Sequence, residues 1–149
     1  MKVKSVKDID FKKLLSEGKR VFLFDFDNTI NVWKSNIVPK EIEEIFKYLL
    51  SNDASVFIVS NGKKRKLEIN NVKIIWRALK PLPFKVMMRL KKHFKNKDEI
   101  VVIGDQIFTD ILFGKLIGAY TIKVEPLDTS KEFITTKIFR FFERLFKLH

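Results

Sequence analysis

The chain of 149 residues has no cysteine, two histidines, five glycines and four prolines. Without cysteine there are no disulfides, no thiolate nucleophile and no cysteine-held zinc or iron–sulfur centre. His93 in a lysine-rich stretch and His149 at the end have no metal-ligating neighbour at a useful spacing, and both read as surface residues. No apolar run approaches the roughly 18 residues of a membrane span. The opening MKVKSVKDID lacks the apolar core of a secretory signal. These absences lead to the expectation of a cytoplasmic protein, at most peripheral on the inner face of a membrane. With no low-complexity linker and no repeat, one domain is expected over residues 1–149.

What is in surplus is positive charge. The net charge is +12, and the excess is concentrated: residues 61–100 hold 13 basic and 3 acidic side chains, while the segments on either side are each close to neutral. Such a field suits an anionic partner, whether membrane surface, nucleic acid or phosphorylated ligand, although a run of lysines also makes an ordinary solvated face.

Five short apolar runs read as strands: VFLF (21–24), SVFIV (55–59), VKIIW (72–76), IVVI (100–103) and AYTIKV (119–124). They lack the alternation of a half-exposed sheet and resemble strands buried on both faces. Helical spacing lies between them: an opening helix around 8–17 stopped by Gly18, one begun by Pro39, one begun by Pro83, and one over about 107–117 stopped by Gly118. Alternating strands and helices predict an α/β fold, with a Rossmann-like parallel sheet of about five strands flanked by helices. At the end, KEFITTKIFRFFERLFKLH (131–149) fits a helix with a Phe/Leu face opposite a basic one. That pattern suits either an interfacial membrane helix or a helix that closes the domain's own sheet.

In open α/β sheets, ligands bind at the carboxyl ends of the strands. Four runs end in polar groups: Asp25-Phe26-Asp27-Asn28-Thr29, Ser60-Asn61-Gly62, Lys80-Pro81 a little downstream, and Gly104-Asp105 with Asp110. Each alone is weak, since a lone Ser-Asn-Gly is usually a turn. Together, in this order and each after its own apolar run, they make a specific pattern. Trp33 and Trp76 read mainly as packing residues near it.

The pattern resembles the haloacid dehalogenase (HAD) superfamily of phosphotransferases. DFDNTINVW, the KP of ALKPLPF and GDQIFTDILFGKLIGAYTIKVEP further resemble its YqeG-type subfamily IIIA phosphatases, a branch that includes phosphatidylglycerophosphate phosphatases. The likeness covers nearly the whole chain. It implies that Asp25 attacks phosphorus to form an aspartyl-phosphate, and that Asp27 serves as acid and base for the leaving group and the water. Lys80 would supply fixed positive charge, while Ser60 and the Asn61 backbone N–H would hold phosphate oxygens at the start of a helix. Mg²⁺ would be held by the Asp25 carboxylate, the Asp27 backbone carbonyl and Asp105, with Asp110 in support. The short spacings from Thr29 to Ser60 and from Ser60 to Lys80 leave no room for a cap domain. An open site suits a bulky phosphorylated substrate, foremost an anionic phospholipid. Peripheral membrane contact would then run through 131–149 and Lys63, Lys64, Arg65 and Lys66. A soluble sugar phosphate or nucleotide, and a nucleic-acid- or ribosome-associated role on the same fold, are the alternatives.

Overall fold

The computed structural model describes residues 1–31 and 35–127. Trp33 and the helix expected over 131–149 lie outside the described residues. The elements follow in the order β1 (Lys2–Val3), α1 (Phe11–Ser16), β2 (Val21–Phe24), α2 (Lys40–Ser51), β3 (Ser55–Val59), β4 (Lys73–Ile75), α3 (Phe84–Leu90), β5 (Ile100–Gly104), α4 (Leu112–Leu116) and β6 (Tyr120–Val124). All neighbouring strands are parallel, in the order β1-β6-β5-β2-β3-β4. The sheet has six strands, against about five expected. Val3 is the single apolar residue of β1, which is too short to carry a periodic signal; backbone pairing of Lys2 and Val3 with Lys123 and Val124 defines it.

The unbroken apolar runs have a plain cause. Along β2, Phe22 and Phe24 enter a core with Phe11, Ile42, Phe46 and Leu49, while Val21 and Leu23 enter a second core with Val86, Leu90, Phe113 and Ile117. Successive residues point to opposite faces, and helices cover both, so every position must be apolar. Removing these side chains from water supplies the main driving force, at about 1.5–3 kcal/mol for each fully buried large one.

Three segments depart from expectation. The opening helix is shorter than 8–17: a 3-10 turn at Val6–Asp8 precedes α1, whose N-cap Asp10 accepts the Lys13 N–H. Gly18 does end it, at φ +89°, a left-handed conformation that favours glycine. The segment 107–117 begins as a π-helical turn, Ile107–Ile111, before α4. The largest departure lies between β3 and β4, where no helix forms. Arg65, Leu67 and Ile69 are half-buried while Lys66, Glu68 and Asn70 are exposed. That period of two is extended chain, and Leu67 and Ile69 pack on the first core. The crossover is therefore a strap lying along the domain.

Candidate active site

The sheet order places the chemistry. β2 has β3 on one side and β5 on the other, so the chain leaves β2 at the point where the winding reverses. Asp25 continues the β2–β5 ladder, its N–H donating to the Ile103 carbonyl at 2.9 Å. Phe26 between the two aspartates is fully buried, which turns Asp25 and Asp27 away from the core together. Asn28 takes φ +61°, a left-handed conformation that asparagine tolerates, and the chain folds back so that the Thr29 and Ile30 N–H groups donate to the Phe26 carbonyl.

Lys80 arrives from the opposite side. Its ammonium donates to Asp25 Oδ1 at 3.0 Å and to Asp110 Oδ1 at 2.5 Å, with 4% of its side chain exposed. Asp110 is held in turn by the Gln106 N–H at 3.2 Å, inside the π-helical turn. Gly104 has to be glycine, since a Cβ there would stand 2.3 Å from Asp110 Oδ2. Thr29 Oγ1 donates to Asp105 Oδ1 at 3.3 Å. Asp25, Asp105 and Asp110 each bring a carboxylate oxygen within 4.8 Å of the other two.

Three acids surround one ammonium, and the electrostatics register the mismatch. Burial, then the Asp110 charge, pushes the Asp25 carboxyl well above the ordinary range, although Lys80 pulls the other way. Burial and Asp110 likewise raise Asp105 to about 7. Burial opposes the charge on Lys80, but Asp110 and Asp25 more than offset it, and its pKa lies above that of a free lysine. Surplus negative charge on oxygen donors is the donor chemistry of a hard divalent cation, and these three carboxylates could hold one.

Asp25, Lys80, Asp105 and Asp110 thus converge, with Asn61 joined to the Lys80 backbone, and three expectations are revised. Ser60 is buried at the end of β3, but no helix starts there; its Oγ accepts the Gly62 N–H at 3.0 Å in a local turn. A helix N-terminus therefore contributes nothing to anion binding at this point. The Asn61 side chain holds Lys80, its Nδ2 donating to the Lys80 carbonyl at 2.9 Å and its Oδ1 accepting the Lys80 N–H at 2.7 Å. Arg65, expected among the solvent-facing basic residues, instead turns inward and pairs with Asp27 Oδ1 at 2.7 Å. Lys63, Lys64 and Lys66 are exposed, as expected. His93 sits beyond the end of α3, half-buried and edge-on to Phe57 at 5.0 Å, so its packing was missed. Among the described residues the short spacings hold no cap domain: α2 and β3 lie between Thr29 and Ser60, and the strap with β4 takes the place of the expected helix and strand between Ser60 and Lys80.

The matching family and the relatives described next are named as phosphatases. Residues 1–126 match the family described as mitochondrial PGP phosphatase. A relative named probable phosphatase YqeG, from Bacillus subtilis strain 168, is 33% identical over 138 residues, covering 89% of this chain and 80% of its own length. Phosphatidylglycerophosphate phosphatase 1 of Arabidopsis thaliana, chloroplastic/mitochondrial, is 29% identical over 93% of this chain, which spans 44% of that relative's length. The core domain of a putative phosphoglycolate phosphatase from Streptococcus pneumoniae TIGR4 shares the fold, with TM-score 0.52 and 19% identity over 82% of this chain and 96% of that one. No helix among the described residues is long and apolar enough to cross a membrane. The match over residues 1–126, on a parallel α/β sheet that brings Asp25, Lys80, Asp105 and Asp110 together, makes this chain a member of the PGP phosphatase family and a HAD-type phosphatase.

Proposed function

We propose that the protein is a Mg²⁺-dependent phosphomonoesterase that works through an aspartyl-phosphate and acts on phosphatidylglycerophosphate at a membrane surface. The observation that carries the reading is the buried Lys80 ammonium shared between Asp25 and Asp110, with Asp105 alongside. A carboxylate beside fixed positive charge at the carboxyl end of the sheet supports a role in attack on a phosphoryl group. The substrate is argued from the family description and from the name of the Arabidopsis thaliana relative.

In this reading Asp25 is the nucleophile. Lys80 orients it and offsets the charge that accumulates on the transferred oxygens. Asp27 passes a proton to the leaving oxygen and later takes one from water. Ser60 and the Asn61 backbone N–H bind phosphate oxygens, and the Asn61 side chain fixes the backbone of Lys80. Asp25, Asp105, Asp110 and the Asp27 carbonyl would hold Mg²⁺. When bound, the cation would neutralise the carboxylate surplus and polarise the phosphoryl group. Lys63, Lys64, Lys66 and the segment 131–149 would attract the domain to anionic lipid.

The test is phosphate release from phosphatidylglycerophosphate in mixed micelles, with and without Mg²⁺, beside Asp25→Asn. Rapid Mg²⁺-dependent release that the variant abolishes is the expected result. No release by folded protein would sink the lipid substrate, and release on soluble esters alone would replace it with a soluble phosphate.

A further inference from the structure

One cation at the mouth has no task in the reaction just described. Lys63, Lys64 and Lys66 face solvent, but Arg65 between them turns inward. Its guanidinium lies 5.0 Å from the centre of the Phe26 ring and 5.4 Å from that of Trp76. Nη2 donates to Asp27 at 2.7 Å, each side chain being 19% exposed. Nε is buried without a hydrogen-bond partner. Two rings therefore set the position of the fork, while Asp27 pairs with its charge.

Asp27 is also the residue placed on the leaving-group side. Turning of the Asp27 carboxyl toward a leaving oxygen would break its pair with Arg65. A guanidinium seated over two rings would then be left without its anion, which is costly when it is only partly solvated. An anion delivered by the substrate, on the leaving-group side, would take the vacated place. The planar fork of arginine suits a phosphate there, since it can donate two parallel N–H bonds to one group.

We propose that Arg65 is a specificity-determining residue that exchanges Asp27 for a second anionic group on the leaving-group side of the substrate, the phosphodiester of a glycerophospholipid headgroup. The inference rests on the phosphatase reading above and narrows its substrate class to monoesters whose alcohol half is itself anionic. It also explains why this one member of the basic run is not left in solvent.

The test compares two soluble monoesters whose alcohols differ in the diester: glycerophosphoglycerophosphate and glycerol 3-phosphate. The wild type should favour the first in kcat/KM by about 10- to 100-fold, the range of a charge-assisted hydrogen bond. Arg65→Gln should bring that ratio close to one, chiefly through KM, and Arg65→Lys should keep part of it. Any misplacement of Asp27 falls on both substrates and cancels in the ratio. The diester alone, glycerophosphoglycerol, should inhibit hydrolysis of whichever monoester is turned over, and do so about 10-fold less well in Arg65→Gln. A ratio unchanged in Arg65→Gln, a wild type without preference, or equal inhibition of both proteins by the diester would overturn the proposal while the phosphatase reading stands. Folded wild type that hydrolyses neither these esters nor the lipid would instead remove the glycerophospholipid substrate on which this inference rests.

Discussion

Replacing Lys80 with methionine removes the ammonium that pairs, among the described residues, with a cluster of three acids, while keeping most of the side-chain volume. The partners are well shielded: Asp25 is 12% exposed, Asp110 1% and Lys80 itself 4%. Removing one member of a buried pair costs about 3–5 kcal/mol, because the remaining charge is stranded. The pH dependence has a definite sign. Asp25 lies well above the ordinary carboxyl value, through burial first and then Asp110, and Lys80 is what pulls it down. Asp105 stands at about 7, again through burial and Asp110. An acid raised on folding contributes stability that is fully present below its unfolded value and is lost as pH rises through the folded one. Metal-free wild type should therefore weaken between about pH 4 and pH 7, and Lys80→Met should carry the loss to higher pH. The variant should fall short of wild type by about 3–5 kcal/mol near pH 8, or roughly 10 °C in Tm, and by much less near pH 5, where Asp105, raised to about 7, is protonated and Asp25 is shifted in the same direction. Urea and thermal unfolding in chelator at both pH values measures this. A deficit below about 1 kcal/mol at pH 8, or one of equal size at pH 5, would refute the account of Lys80 as the counter-charge of the cluster.

Mg²⁺ added to chelated protein near pH 8 should raise Tm, by about 2.7 kcal/mol of stability at a hundredfold excess over Kd, and the gain should shrink near pH 5; Asp105→Asn should remove most of it, and an equal gain in that variant would exclude the three-acid site. Gly104→Ala forces a Cβ to within 2.4 Å of the Asp110 side chain, so a loss of about 1–3 kcal/mol and about 100-fold in kcat is expected, checked by unfolding and by turnover. Asn61→Ala keeps the backbone N–H but deletes two side-chain hydrogen bonds to the Lys80 backbone, and should cost about 1–2 kcal/mol and lower kcat; an unchanged kcat in folded variant would refute the clamp as what positions Lys80.

Much of the fold is legible because double burial leaves little choice of residue. VFLF and IVVI could hardly be anything but central strands, and both are. The site was legible for a related reason: strand ends that should be hidden carry Asp25, Ser60 and Asp105 instead. What escaped depends on pairing at a distance. β1 exists because Lys2 and Val3 meet Lys123 and Val124, which two residues cannot announce. KKRKLEINN has the lysines and glutamate of a helix, yet Leu67 and Ile69 find the core in extended form, so tertiary contact overrides local preference. The inward turn of Arg65 had a faint signal, a lone arginine among lysines. Its partners Phe26 and Trp76 are 39 and 11 positions away, and nothing in the sequence joins the three. The amide clamp from Asn61 to Lys80 spans 19 positions and was equally hidden.

The two outermost strands are the shortest in the sheet, at two and three residues, and each begins with an exposed lysine, Lys2 or Lys73. The central strands are apolar throughout, the composition that stacks readily into cross-β assemblies when a free edge allows it. Short, lysine-bearing margins give a second molecule almost no ladder to extend and set like charges against its approach. The sheet is thereby closed to self-recruitment at both margins, so that crowding many copies together should not convert its most adhesive segments into fibrils unless β1 or β4 first peels away.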